Sequence, residues 1–149
     1  IVGALKSFNG LPHRSEFIAT LDGVSWINDS KATNPGAAQA AIDGMDEPVI
    51  LIAGGQGKGA DMTVLCDSLK SHVKTVLLIG QDAELMQQSW SDCVAIERVE
   101  NMAEAVKRAR VIATEGDVVL LSPACASFDM YTGFEARGNH FATLVRSML

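Results

Sequence analysis

Apolar positions along this chain change their period several times, and each change marks an element. Phe17 to Thr20 and Val24 to Asn28 are β-favouring runs on either side of Asp22-Gly23, a dipeptide suited to the positive φ angles of a tight hairpin turn. The domain is therefore predicted to open with an antiparallel pair. After Asn34-Pro35-Gly36, the alanine-rich segment Ala37 to Ile42 stops before Gly44, as expected of a short helix entered through a proline near its first turn. Beyond it, Val49 to Ala53, Thr75 to Ile79, Val94 to Glu97 and Asp117 to Leu121 are short continuous apolar runs, which suit strands covered on both faces. Stretches of helical character separate them: Met62 to Ser71, Ala83 to Ser89 and Met102 to Ala113. In the third, Met102, Ala105, Val106, Ala109 and Ile112 share one side of a helix with a period of about 3.6 residues. A last helix over Phe134 to Met148 carries Phe134, Phe141, Leu144, Val145 and Met148 at near-helical spacing. This alternation predicts an α/β fold, Rossmann-like in its mostly parallel sheet with helices on both faces, preceded by the N-terminal antiparallel hairpin.

The chain has 149 residues, enough for one domain that buries roughly two thirds of the surface its unfolded form exposes. No internal repeat or low-complexity tract interrupts it, and Ile1 to Phe8 read as the tail of a connection from an upstream domain. A start without methionine is expected of a piece cut from something longer, or of a processed N-terminus. The three cysteines, Cys66, Cys93 and Cys125, are odd in number and lack C-x-x-C spacing. They are expected to be reduced, mostly buried thiols of a cytoplasmic protein. No stretch approaches the roughly 20 apolar residues of a membrane span, so no membrane partner is expected. The net charge of −6, with scattered lysines and arginines, leaves no basic footprint for nucleic acid. A few cations converging with backbone amides can still bind an anionic small molecule.

In open α/β sheets ligands gather beyond the carboxyl ends of the strands, and three segments there could carry chemistry. Asn28-Asp29-Ser30-Lys31-Ala32-Thr33-Asn34 packs an acid, a base and several hydrogen-bonding side chains into seven residues. On composition alone it is an ordinary polar turn capping the next helix. Ala53-Gly54-Gly55-Gln56-Gly57-Lys58-Gly59-Ala60-Asp61 has four glycines, which let a backbone approach a ligand closely, and a lysine to meet an anion. It is not a Walker A loop, because Lys58 is followed by Gly59 instead of a metal-binding Ser or Thr. A flexible turn with a solvated lysine is the plainer reading. Leu120-Leu121-Ser122-Pro123-Ala124-Cys125-Ala126-Ser127-Phe128-Asp129 leaves a strand with small side chains, so its amides could cradle a carboxylate. Cys125 is expected to be a buried thiol and not a nucleophile, and His13, His72 and His140 have no ligand-like spacing.

Five segments in order resemble the Mur ligase family: Gly10-Leu11-Pro12-His13-Arg14, Asn28 to Asn34, the Gly-Gly-x-Gly-Lys loop, Leu-Ser-Pro-Ala-Cys-Ala-Ser, and Phe134-Glu135-x-Arg137-Gly138-Asn139-x-Phe141. Asp-Ser-Lys-Ala-Thr-Asn favours the branch that joins D-glutamate to UDP-N-acetylmuramoyl-L-alanine. The resemblance implies a three-domain cytoplasmic enzyme of peptidoglycan synthesis, monomeric when whole. Residues 1–149 would be its C-terminal amino-acid-binding domain, inactive alone. ATP and Mg²⁺ would be bound mainly by a central domain outside this chain. The implied reaction passes through an acyl phosphate, which the amine of D-glutamate attacks. By the same resemblance, Thr33, Lys58, Ser127 and the backbone N–H groups of Phe128 and Phe134 would bind D-glutamate. Arg14, Asp29 and Lys31 would stand at the nucleotide, Lys31 near its phosphates or near the reaction centre; no metal ligand and no general base are expected here. Glu135 and Arg137 could be a surface pair or a support for the preceding loop. The alternatives are a sister Mur or folylpolyglutamate ligase domain, and a non-catalytic α/β nucleotide-binding module.

Overall fold

A computed structural model describes residues 12–149; Gly10, Leu11 and the proposed connection Ile1 to Phe8 lie outside the described residues. Strands β1 (Glu16–Leu21) and β2 (Val24–Asn28) form the expected hairpin. Asp22 and Gly23 take φ of 53° and 77° at its turn, the left-handed conformation that Asp-Gly adopts readily. There follow α1 (Pro35–Asp43), β3 (Val49–Gly54), a 3₁₀ turn (Met62–Leu65), α2 (Cys66–His72) and β4 (Val73–Ile79). The chain ends with α3 (Ala83–Trp90), β5 (Ala95–Arg98), α4 (Met102–Ile112), β6 (Val118–Leu121) and α5 (Phe134–Arg146).

The six strands form one sheet in the order β1-β2-β6-β3-β4-β5, with every pair parallel except β1 with β2. Because β6 lies between β2 and β3, the chain travels outward through β3, β4 and β5 and then doubles back. Right-handed crossovers that run in opposite directions place their helices on opposite faces. Accordingly Ile42 of α1, Leu69 of α2 and Met86 and Trp90 of α3 pack with Val49, Leu51, Val76, Val118 and Leu120 on one face. Met102, Ala105 and Ala109 of α4 and Phe141 and Val145 of α5 pack with Ile50, Ile52, Leu77, Val119 and Leu121 on the other. Alternate residues of each central strand thus feed two separate cores, which explains why β3 and β6 are buried throughout.

Three expectations are corrected. The segment Met62 to Ser71 is not one α-helix: Asp61 accepts from Thr63 N at 3.0 Å, and this local bond tightens the first four residues into the 3₁₀ turn. The run at Val94 to Glu97 forms an edge strand, half-exposed instead of covered on both faces. Cys66 and Cys93 are not separate thiols; folding brings their Cα atoms to 5.5 Å and a disulfide joins them, leaving only Cys125 free and buried. Chain distance concealed that pairing.

Candidate functional site

The loops after β2, β6 and β3 emerge side by side from one edge of the sheet, because those three strands are parallel neighbours. The gap between β6 and β3 is where the connections diverge to opposite faces, the position at which open α/β sheets bind ligands. Hydrogen bonds stitch the loops together there. Gln56 and Ala126 exchange both backbone bonds, at 2.9 and 3.0 Å, and Ala124 N donates to Ala32 O at 3.0 Å. Thr33 and Ser127 each adjoin one of these contacts and Lys58 lies two residues beyond Gln56, so the loops that carry all three leave the sheet at the same end, the rim.

The glycine-rich loop can make this approach because it has no side chains in the way. Gly54 and Gly55 take φ of 123° and 133°, and a Cβ on either would collide with backbone, of Ile79 and Ala126 respectively. Gly57 N donates to Asp82 Oδ2 at 2.7 Å, and Asp82 N donates to Gly55 O at 3.0 Å. Lys58 is exposed, with Nζ 5.7 Å from the centre of the Phe128 ring. Phe128 is itself 63% exposed. A second such pair joins the loop after β2 to the start of α5, where Lys31 Nζ is 5.7 Å from the Phe134 ring centre. Ser127 is buried to 2% exposure and Thr33 is half-buried. The amides of Phe128 and Phe134 donate to no protein acceptor among the described residues, and that of Phe134 opens α5, where a helix favours an anion.

Beneath the rim lies a polar layer. Asn28 donates to His13 Nδ1 at 3.1 Å and to Gly138 O at 3.3 Å, while its Oδ1 accepts from Ser30 N at 3.1 Å. The His13 ring in turn stands edge-on to Phe134. Asp29 is 5% exposed, and its oxygens accept from Ser15 N and Ser122 Oγ, both at 2.9 Å. Burial pushes its carboxyl up to about 6, against the opposing pull of those hydrogen bonds and of Arg14. Arg137 is 1% exposed and has no ion-pair partner among the described residues. Its guanidinium donates instead to Ser30 Oγ (2.9 Å), Ser30 O (2.7 Å) and Cys125 O (2.9 Å), and Ser30 Oγ donates to Phe134 O at 2.7 Å. Burial lowers its pKa to about 10. Arg137 is thus a support for the loops and not half of a surface pair with the exposed Glu135. Burial also pushes the Cys125 thiol up to about 12, which leaves it protonated and unsuited to nucleophilic attack.

The polar-turn reading of Asn28 to Asn34 is true of its end alone: Asn34 accepts from Ala37 N at 2.9 Å and caps α1. Asn28, Asp29 and Ser30 are buried and bonded across the fold. Arg14 is exposed, and no bond joins it to Lys58 or Ser127. A cleft of about 830 Å³ lies beyond the carboxyl ends of β4 and β5 and is lined by Gly80, Gln81, Arg98, Glu100, Glu104 and Asp129 among others; Asp129 ends the segment singled out after β6, but none of the site residues assigned from the sequence lines it. Ser15, Ser122 and Asp82 went unassigned in the sequence because their roles depend on partners 14 to 93 residues distant. Arg137 alone had a signal, its place in the Phe-Glu-x-Arg-Gly-Asn run.

Residues 13–125 match the family model for the Mur ligase glutamate ligase domain. The chain belongs to the Mur ligase family. Among curated members, the UDP-N-acetylmuramoylalanine–D-glutamate ligase of Nitrosococcus oceani is 51% identical over 100% of this chain and 33% of its own length. The ligase of the same name from Pseudomonas fluorescens is 47% identical over 97% of this chain and 33% of its own length. This Mur ligase domain therefore spans about a third of the length of those relatives. Among solved structures, a bifunctional folylpolyglutamate synthase/dihydrofolate synthase from Yersinia pestis shares the fold, with a TM-score of 0.66, 18% identity, and coverage of 91% of this chain and 32% of that one. The UDP-N-acetylmuramate-alanine ligase of Thermotoga maritima shares it too, with a TM-score of 0.62, 16% identity, and coverage of 99% and 33%. No group of three or more His, Cys, Asp or Glu side chains among the described residues could hold a metal ion, and no helix among them is long and apolar enough to cross a membrane.

Proposed function

We propose that this Mur ligase domain presents D-glutamate to an activated carboxylate in an ATP-dependent ligase of peptidoglycan synthesis, the other substrate being UDP-N-acetylmuramoyl-L-alanine. The observation that carries the reading is the joining of the β2, β3 and β6 loops by backbone hydrogen bonds that lie within two residues of Thr33, Lys58 and Ser127. The names borne by relatives at about half identity over the whole chain supply the substrate. A dianion leaving water needs charge-assisted hydrogen bonds, and Lys58 with the Phe128 and Phe134 amides and the two hydroxyls answers that need. The Phe128 ring holds the Lys58 ammonium at the rim.

ATP phosphorylates the acceptor carboxylate, and the acyl phosphate is attacked by the amine of D-glutamate with release of phosphate. This lobe contributes by fixing the amine near the carbonyl, and such positioning is a large part of the barrier lowering in a two-substrate step. Arg14 and Lys31 face the nucleotide with their cations. Asp29 keeps a second lone pair on each oxygen for a ribose hydroxyl. Among the described residues no cluster of carboxylate, imidazole or thiol side chains suits Mg²⁺.

The test uses the full-length protein containing this chain. This chain alone is expected to show no ligation, and the full-length enzyme to join D-glutamate in preference to L-glutamate. Lys58→Ala is expected to raise the KM for D-glutamate at least about tenfold, the loss of one charge-assisted contact. Unchanged kinetics in that variant would remove Lys58 from the site, and preference for L-glutamate would move the domain to the folylpolyglutamate branch.

A further inference from the structure

We propose that Cys66 and Cys93 form a reversible thiol–disulfide couple that secures the footing of the glycine-rich loop, a modification site independent of which substrate the loop serves. The two residues are 27 apart in sequence, yet their Cα atoms lie 5.5 Å apart, inside the span that a disulfide requires. Both are half-buried, so a small oxidant or reductant can reach them. Cys66 opens α2, directly after the 3₁₀ turn that follows the glycine-rich loop, and Cys93 lies in the turn after α3. The reduced state is accommodated too, because Cys66 Sγ lies 3.6 Å from the carbonyl oxygen of Ser89, which can accept from a thiol.

The position gives the couple its consequence. Two arms of the chain run together here: one carries Gly54 to Cys66, the other Gly80 to Cys93. They are joined near the rim by Gly57 N donating to Asp82 Oδ2 at 2.7 Å. Lower down, the Trp90 indole N–H donates to Met62 O at 2.7 Å. Cys66–Cys93 is the lowest rung and the one that redox chemistry can open. Closing it restricts how far the arms can separate, and so how far the loop carrying Lys58 can move.

Glutathione disulfide is the oxidant by which the couple closes. A thiolate of one cysteine attacks a sulfur of glutathione disulfide, breaking its S–S bond and releasing one glutathione thiolate. The second cysteine, as thiolate, attacks the mixed disulfide at the protein sulfur, forms the Cys66–Cys93 bond and releases the second glutathione. The two protons given up by the cysteines end on the two glutathione thiols, and the protein is oxidised by two electrons.

The experiment compares the unmodified chain equilibrated with glutathione disulfide against the same chain reduced by dithiothreitol. Oxidation is expected to remove the mass of two hydrogen atoms, to yield one cross-linked peptide pair containing Cys66 and Cys93, and to leave Cys125 free. Amide hydrogen exchange over residues 54–61 is expected to slow at least about threefold on oxidation, as for a segment whose local opening is restrained. Cys93→Ser treated with the oxidant is expected to keep the fast exchange. Stable glutathione adducts without the intramolecular bond would overturn the couple. A disulfide that forms while exchange over 54–61 stays the same would overturn its link to the loop.

Discussion

Asp29 and Arg137 are opposite charges buried in the same polar layer, and each is held by neutral partners instead of a counter-ion. For Asp29 the desolvation outweighs its two hydrogen bonds, raising its pKa from 3.8 to about 6. A carboxyl whose folded pKa exceeds the unfolded value favours folding only when protonated. The contribution of Asp29 is therefore fully present below about pH 4 and is lost as pH rises through about 6, a swing of at most about 3 kcal/mol. Asp29→Asn cannot ionise, so its melting temperature is expected to rise relative to the native chain as pH goes from about 5 to 7. Parallel melting curves across that range would show that Asp29 does not titrate in the folded state. At Arg137, three planar donors meet three acceptors on two different loops. Arg137→Lys keeps the charge but not the fork geometry, and is expected to cost about 3 kcal/mol in urea unfolding by leaving buried acceptors unmet. A loss under about 1 kcal/mol would show that the bonds are readily replaced.

At the scale of elements, the start of α5 is where the rim and the polar layer meet. Glycine inside a helix ordinarily lowers stability by roughly 1 kcal/mol relative to alanine. Gly138 reverses that expectation, because a Cβ there would run into the His13 ring and approach Asn28 Nδ2 to 3.0 Å. Gly138→Ala is expected to destabilise by about 1 to 3 kcal/mol, the usual range for overpacking, and to displace His13 from Asn28. A stabilised variant, or unchanged chemical shifts at His13 and Asn28, would contradict the close packing. The same logic holds for the glycine-rich loop, whose backbone lies against Ile79 and Ala126 with no room for side chains.

For the molecule as a whole, the decisive feature is the insertion of β6 between β2 and β3. It turns three segments far apart in sequence into neighbours, and it sends the connecting helices to opposite faces, leaving the rim between them open. A protein of net charge −6 still exposes a lysine on each of two of these loops, Lys31 after β2 and Lys58 after β3, while Asp29 is buried. The sequence determined the strands, the hairpin turn at Asp22-Gly23, the cap at Asn34 and the order of the motif segments, since each follows from backbone preferences and periodicities that act over a few residues. Tertiary structure alone decided strand order, the edge position of β5, the Cys66–Cys93 pairing, and the partners of Arg137, Asp29 and Asp82. Those depend on which distant groups arrive together when two cores close on one sheet, and a linear pattern records the periods of its elements but not the distances between them in space.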